Sequence, residues 1–301
     1  MNIITFLWRS FYPCYSANRR NKRTIYYAVN FEAFTKDLVG AKSLNGKSRE
    51  YCAGIVEKYI KRGNFISMDD MTIQCAQEFY GQALNIGRED CKVIYISVDT
   101  SGVESVNREQ VINNFKKPRI LAISRADFSM KGYLIGLLEW FAGTEIKEVC
   151  LDIVTYGPDE DAIKKMVGQL PLDKKNRIRL YGKTDYDELD GIIKNSIVYV
   201  GMGTTLLDAA ERGIISVPAE PHTDKLSISG FFTEQYDFLA AIGGGRDFDE
   251  LVRDVLAMSI DEYMVNSEAG VKLVKEHYDL KRNTARIQDW FNSMPDDDIE
   301  E

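Results

Sequence analysis

The stretch RILAISRADFSMKGYLIGLLEWFA (residues 119–142) begins with a short apolar run and continues with the apolar spacing of a helix. Similar apolar runs flanked by turn residues recur downstream, separated by further helix-like segments: VCLDIV (149–154), IRLY (178–181), IVYV (197–200) and ISVP (215–218). Short apolar runs of this kind are typical of buried strands. Their alternation with helices predicts βαβ units and a doubly wound α/β domain with a parallel sheet.

The preceding residues are less regular but follow the same plan. Strands are predicted at 24–29, 64–67 and 92–95, and helices at 49–62 and 69–84. The polar stretch from 99 to 118 ends in Lys-Lys-Pro and is interpreted as a hinge. We therefore predict one domain over 1–116 and a second over 117–301.

The first domain is expected to be incomplete, because three strands are fewer than the five or six of a doubly wound domain. The second domain is expected to include C-terminal helices and an acidic tail. Trp290 and Phe291 lie close to the C-terminus and need an apolar partner, so we expect this helical tract to pack partly on the first domain.

Composition excludes several classes of protein. The 301 residues carry a net charge of −8, which argues against a nucleic-acid partner. The five cysteines form no CxxC pair, so we expect a reducing cytoplasm, no disulfide framework and no zinc site. No apolar run is long enough to span a bilayer. A basic cluster at residues 19–23 is either a solvated loop or a contact with the inner face of a membrane.

Two charged residues follow the strand that ends at Ser124. Arg125 comes directly after it, and Lys131 with Gly132 stands at the entrance to the next helix. Two cations and the free N–H groups of a helix start can bind a diphosphate. The alternative is that both are solvated loop charges.

The segment GMGTTLLDAAERG (201–213) follows another predicted strand. Its glycines, Gly203 among them, allow a ligand to approach the backbone closely. Thr204 or Thr205 could cap the following helix, and Asp208, one turn in, could reach a ribose hydroxyl. The alternative is a plain turn with a surface aspartate. Gly157 and Gly182 occupy the corresponding positions after two other strands.

Taken in order, ILAISRADFSMKG, IVTYGPDEDAIKKM, IRLYGKTDYDELDGIIKNSIVYV and LLDAAERGIISVPA resemble the nucleotide-sugar-binding half of GT-B fold retaining glycosyltransferases of family 4. The resemblance covers roughly residues 119–258, with fainter similarity over 24–99. It implies two Rossmann-like domains and the transfer of a hexose from a nucleotide sugar to a glycan or lipid-linked acceptor, in surface polysaccharide synthesis.

The resemblance also implies roles for single residues. Arg125 and Lys131 would hold the donor diphosphate, Asp208 would contact the ribose, and Gly182 would lie beside the base. Gly203 and Thr204 complete the expected donor-binding set. No catalytic residue is assigned, and neither a metal nor a cofactor is expected.

Two positions depart from the family pattern. Val200 stands where the family has the first glutamate of a pair, and TIYYAVN (24–30) has no histidine where the family often has one. A second hypothesis is therefore a degenerate GT-B member that binds a nucleotide or a partner subunit without turnover. A third is an unrelated nucleotide-sugar enzyme, such as an epimerase.

Overall fold

The computed structural model describes residues 3–5, 24–28, 47–102, 105–241 and 243–294. The chain divides into two compact units. The first contains Met1–Ser97 together with Leu280–Glu301, and the second contains Val98–Asp279.

The first unit is built on a four-stranded sheet in which every pairing is parallel. Its strands, in spatial order, are β1 (Ile3–Thr5), β2 (Thr24–Ala28), β3 (Phe65–Ser67) and β4 (Lys92–Val93). The last three were predicted, whereas β1 was not. It lies at the start of the apolar stretch IITFLW (3–8), and an apolar run by itself does not distinguish a strand from a helix.

Alternate residues of β2 face two different helical layers. Tyr26 and Ala28 belong to one apolar cluster with helices α1 (Arg49–Lys61) and α2 (Asp70–Tyr80). Asp69 begins α2 by accepting a hydrogen bond from the backbone N–H of Thr72 at 2.8 Å. The sheet is therefore covered on this face by helices close to it in sequence.

The opposite face of β2 packs against the last helix of the chain. Ile25 and Tyr27 form a second cluster with Phe291 and Met294, at the end of a helix over Leu280–Ser293. Trp290 on the same helix donates its indole N–H to the carbonyl of Gly63 at 2.9 Å. The expectation that the C-terminal tract packs on the first domain is thus confirmed.

Helix α3 (Arg108–Lys116) lies inside the segment predicted to be a hinge. The Asn114 amide donates to the carbonyls of Lys194 and Ser196, and the ring of Phe115 meets that of Tyr263 edge-on. These contacts tie α3 to the second unit. The two compact units accordingly divide between Ser97 and Val98 rather than near residue 116.

The second unit has a five-stranded parallel sheet in the spatial order β7-β6-β5-β8-β9. Its strands are β5 (Arg119–Arg125), β6 (Cys150–Tyr156), β7 (Ile178–Tyr181), β8 (Val198–Gly201) and β9 (Ile215–Pro218). The predicted class, two α/β units with parallel sheets flanked by helices, is confirmed.

The helices of the second unit connect or flank these strands. After α3 they are α4 (Phe128–Lys131), α5 (Tyr133–Gly143), α6 (Glu160–Gln169), α7 (Leu172–Lys175), α8 (Tyr186–Lys194), α9 (Thr204–Glu211), α10 (Phe248–Ala257) and α11 (Ile260–His277). The Leu280–Ser293 helix of the first unit is α12.

The side chain of Asp152 is fully buried in this sheet. Asp152 in β6 accepts paired hydrogen bonds from Arg119 of β5 and from Arg179 of β7, the latter at 2.8 and 2.6 Å. Burial alone would raise the pKa of Asp152, but the two arginines outweigh it and hold the pKa below its usual range. Asp152 and the two arginines therefore link three adjacent strands, β5, β6 and β7.

No helix within the described ranges is both long enough and apolar enough to cross a membrane.

The packing of α12 predicts a stability difference between two of its apolar residues. Phe291→Ala should lower the free energy of unfolding by about 3–5 kcal/mol, because it leaves a cavity against β2. Leu280→Ala, on the same helix but 46% exposed, should change it by less than about 0.5 kcal/mol. Urea denaturation of the two variants measures the difference, and similar losses would contradict the packing.

Candidate functional site

The order of strands in the second sheet reverses between β5 and β8. The chain passes from β5 to β6 and β7 on one side, then returns to place β8 and β9 on the other. Ligands of doubly wound sheets bind at the carboxyl ends of the strands where this reversal occurs. The pairing of Ile120 with Val198 and of Leu121 with Tyr199 places the end of β5 beside the end of β8.

Tyr199 fastens these two strand ends together. Its buried hydroxyl lies 3.2 Å from the carbonyl of Ile123 and 2.6 Å from the hydroxyl of Thr205 in α9. A side chain at Gly201 would clash with this phenol, since its Cβ would lie 2.4 Å from the tyrosine oxygen. Gly201 is therefore required for the contact that fixes the start of α9 to β5.

The start of α9 differs from the predicted threonine cap. Gly203 occupies the N-cap position with a φ of 75°, a left-handed conformation that favours glycine. Thr204 is the first helical residue and is exposed, while the Thr205 hydroxyl turns towards Tyr199. No described side chain caps the helix, so its first amide groups can bind an anion.

Space is open in front of this turn. A Cβ added at Gly203 would meet no atom within 4 Å, and the Gly203 N–H is held by the Leu239 carbonyl at 2.7 Å. The turn is therefore both fixed in position and accessible to a ligand.

The loop after β5 is held by the loop after β6. The N–H of Ala126 donates to the Tyr156 carbonyl at 2.8 Å, and Asp159 accepts from the N–H of Phe128 at 2.7 Å. Gly157 has a φ of 135°, and its Cβ would lie 2.7 Å from the Ala126 carbonyl, so only glycine fits there. These contacts position Arg125 and the short helix α4.

Lys131 ends α4 in a half-buried position. Its ammonium forms no hydrogen bond or ion pair with any residue in the part of the chain that the structure describes. Burial lowers the pKa of Lys131, and the charge of Asp127 opposes this shift only in part. A partly desolvated cation of this kind gains most from a bound anion.

A segment remote in sequence packs on the residues that flank Lys131. The His222 N–H donates to the Met130 carbonyl at 3.0 Å, and His222 Nδ1 lies 2.8 Å from the Ser129 carbonyl. A Cβ at Gly132 would lie 2.5 Å from the Thr223 carbonyl. His222 and Thr223 thus contact residues on both sides of Lys131, and the sequence around His222 did not predict this contact.

Arg125 occupies the last position of β5, at the same sheet edge. It is exposed, and its guanidinium has no hydrogen-bond or ion-pair partner among the described residues. Both predicted diphosphate ligands therefore lie at the carboxyl end of β5, and neither forms a hydrogen bond or ion pair with the described residues.

Asp208 lies one turn into α9, as the sequence predicted, but it has protein partners. Its side chain is 16% exposed, Oδ1 accepts from the Tyr186 hydroxyl at 3.2 Å, and Arg212 Nη1 lies 4.0 Å away. Burial raises the pKa of Asp208, while Arg212 and Tyr186 oppose the shift. Tyr186 is 60% exposed and was missed in the sequence, although it begins the helix after Gly182.

Gly182 is exposed in the loop after β7, where its carbonyl accepts from the Thr184 hydroxyl at 3.0 Å. A Cβ there would meet no atom within 4 Å. Within the described ranges, no group of three or more His, Cys, Asp and Glu side chains is arranged to hold a metal ion.

Solved structures of similar fold were found at low sequence identity. Sucrose-phosphate synthase from Thermosynechococcus elongatus superposes with a TM-score of 0.67 and 12% identity, over 97% of this chain and 73% of that one. The lipopolysaccharide outer core galactosyltransferase WaaB, in its apo form, gives 0.61 and 18%, over 97% and 75%. Anabaena HepE in complex with UDP and glucose gives 0.56 and 12%, over 93% and 80%.

The chain has the GT-B fold. No protein-family model matches the sequence, and no curated protein matches it. The superpositions therefore confirm the predicted fold class.

The turn before α9 predicts opposite effects at two glycines. Gly203→Ala should destabilise the protein by about 1–2 kcal/mol, because a left-handed φ strains any side chain. Gly182→Ala should be neutral or slightly stabilising, since its backbone is not in that region and the space around it is open. Thermal unfolding of both variants checks this, and equal melting temperatures would contradict the assigned turn.

Proposed function

We propose that this protein transfers a sugar from a nucleotide-sugar donor bound at the carboxyl edge of the second sheet. The observation that carries the proposal is Lys131, a half-buried ammonium without a protein partner in the described chain. Lys131 follows β5. The start of α9, which no described side chain caps, is held next to β5 by the hydroxyl of Tyr199. This combination suits a diphosphate.

The chemistry follows from where negative charge develops. The bond between the sugar C1 and the donor phosphate oxygen breaks, and the electron pair leaves with the nucleoside diphosphate. A bond forms between C1 and an acceptor hydroxyl oxygen, which gives up its proton. Lys131, Arg125 and the first amides of α9, including that of Thr204, would stabilise the departing diphosphate without a metal ion.

The remaining donor contacts are proposed from the same edge. Asp208 would accept hydrogen bonds from the ribose, and Gly182 would lie beside the base, with Gly203 allowing close approach of the phosphates. HepE, which shares the fold, was solved in complex with UDP, and this makes a uridine nucleotide the first donor to test.

The finer assignment rests on the sequence resemblance to family 4. We propose a retaining hexosyltransferase acting on a glycan or lipid-linked acceptor in polysaccharide synthesis. The similarity to WaaB, a lipopolysaccharide outer core galactosyltransferase, supports this class of acceptor.

A cytoplasmic setting is proposed because Cys52, Cys91 and Cys150 carry buried thiols rather than disulfides. The basic cluster at 19–23, proposed to contact a membrane, lies outside the described residues.

One observation favours a second candidate, a nucleotide-binding protein without turnover. Val200 is fully buried in β8, so no carboxylate projects from the position where the family has its first glutamate. Incubation with UDP-sugars separates the candidates. A transferase releases UDP only when an acceptor is present, an epimerase changes the sugar without an acceptor, and a binder does neither.

Substitution at Lys131 tests the diphosphate contact. Lys131→Gln should weaken binding of UDP by about 1.5–3 kcal/mol, the range for hydrogen bonds to charged groups, and leave binding of uridine unchanged. Lys165→Gln, an exposed lysine on α6, is the matched control and should change neither. Isothermal titration calorimetry measures all four affinities. Equal losses for UDP and uridine would show that Lys131 does not contact phosphate.

Substitution at Asp208 tests the ribose contact. Asp208→Asn should weaken binding of both UDP and uridine by about 1.5–3 kcal/mol, since both carry the ribose. Its amide oxygen can still accept from Tyr186, so the melting temperature should change little. Asp187→Asn, an exposed carboxylate on α8, serves as control. Normal nucleotide binding with a lowered melting temperature would make Asp208 a structural residue.

A further inference from the structure

One residue other than glycine has a left-handed backbone. His222, in the loop after β9, has a φ of 58°, whereas every other positive φ within the described ranges belongs to a glycine. This conformation is strained for a residue with a side chain, and glycine would adopt it freely. Strain of this kind persists only where the surrounding contacts hold it, and it is concentrated at functional sites.

The contacts of His222 lie at the end of helix α4. Its backbone N–H donates to the Met130 carbonyl at 3.0 Å, and its ring Nδ1 lies 2.8 Å from the Ser129 carbonyl. A carbonyl oxygen only accepts hydrogen bonds, so Nδ1 carries the proton and donates. His222 therefore donates to two consecutive carbonyls of α4.

Helix α4 depends on contacts with other segments. It has only four residues, and a helix of about one turn is unstable by itself. The carbonyls of a last turn have no partner within the helix. At the opposite end, the N–H of Phe128 is held by the Asp159 carboxylate at 2.7 Å. The loop after β6 thus holds the beginning of α4, and His222 holds its end.

Lys131 is the last residue of α4, directly after the two carbonyls that His222 binds. A lysine on a mobile turn would have to be ordered when an anion binds, and that loss of conformational freedom weakens binding. A lysine whose backbone is already fixed loses less freedom. The contacts of His222 therefore bear on the affinity of Lys131 for an anion.

We propose that His222 is a positioning residue for Lys131. Its ring fixes the end of α4, so that the ammonium is in place before the donor diphosphate binds. This inference rests on the proposed function, in which Lys131 contacts the diphosphate. It adds the loop after β9 to the diphosphate site, acting through α4 and not through a contact of its own with phosphate.

Three substitutions separate the ring of His222 from its backbone. His222→Gly keeps the backbone N–H and suits the left-handed φ, but it removes the donor to the Ser129 carbonyl. His222→Asn tolerates the same φ and supplies a side-chain amide N–H in place of Nδ1. Asp224→Gly, at an exposed position of the same loop, is the matched control for added loop flexibility.

Calorimetric titration of the full chain gives the first measurement. His222→Gly should weaken binding of UDP about tenfold, the upper range for one lost hydrogen bond, and leave binding of uridine unchanged. His222→Asn should bind UDP nearly as well as the unsubstituted protein, and Asp224→Gly should change neither affinity.

A double substitution tests whether His222 acts through Lys131. In the Lys131→Gln background, His222→Gly should cause no further loss of UDP affinity, because the group that it positions is absent. The same tenfold loss in that background, or an equal loss for uridine, would overturn the positioning role.

Amide hydrogen exchange gives a second measurement that needs no nucleotide. The N–H of Lys131 donates to the Asp127 carbonyl at 2.6 Å. His222→Gly should speed its exchange about tenfold, and His222→Asn should not. Unchanged exchange in His222→Gly would overturn the inference whichever nucleotide the protein binds.

The outcomes distinguish this inference from the proposed function. If Lys131→Gln leaves UDP binding intact, the proposed diphosphate contact and the role of His222 both fail. If Lys131→Gln weakens UDP binding but His222→Gly does not, the diphosphate contact stands and His222 is not a positioning residue.

Discussion

The parallel pairing of β5 with β8 is the constraint on which the candidate site depends. It brings two segments that are about seventy-five residues apart into one edge, the loop after Arg125 and the turn at Gly203. Tyr199 converts this pairing into a fixed geometry, because its hydroxyl joins the Ile123 carbonyl to Thr205. Glycine is required at position 201 for this geometry, since the Cβ of any larger residue would displace the phenol of Tyr199.

The same sheet uses its cations in two distinct ways. Arg119 and Arg179 each donate two hydrogen bonds to Asp152, so they hold neighbouring strands together. Lys131 and Arg125 have no such partner in the described chain, and both follow β5 at its carboxyl end. The contrast separates the structural charges from those proposed to bind the diphosphate more clearly than residue type or spacing does.

The sequence predicted best those elements whose signal is local. Strands β5, β6, β8 and β9 are largely buried on both faces, so each appears as an apolar run. The observed bounds of β5 to β9 lie within two residues of the predicted ones. Helix α3 was missed because the segment is short and mostly polar, and Val111 and Asn114 are its only buried residues. The threonine cap was wrong because the chain enters α9 through a left-handed Gly203, and Thr205 bonds to the sheet instead.

The contacts that define the candidate site were harder to predict from the sequence. The spacing of Arg125, Lys131 and Asp208 placed them at a sheet edge. The sequence did not show that His222 and Thr223 pack beside Lys131, or that Tyr186 donates a hydrogen bond to Asp208. Contacts between segments remote in sequence have no local signature, so they required the structure.

A crystal structure of the protein with UDP tests the diphosphate site most directly. We expect the diphosphate at the carboxyl ends of β5 and β8, with Lys131 Nζ and the first amides of α9 within hydrogen-bond distance of its oxygens. A diphosphate bound elsewhere, or a Lys131 side chain that contacts no phosphate oxygen in the complex, would contradict this assignment.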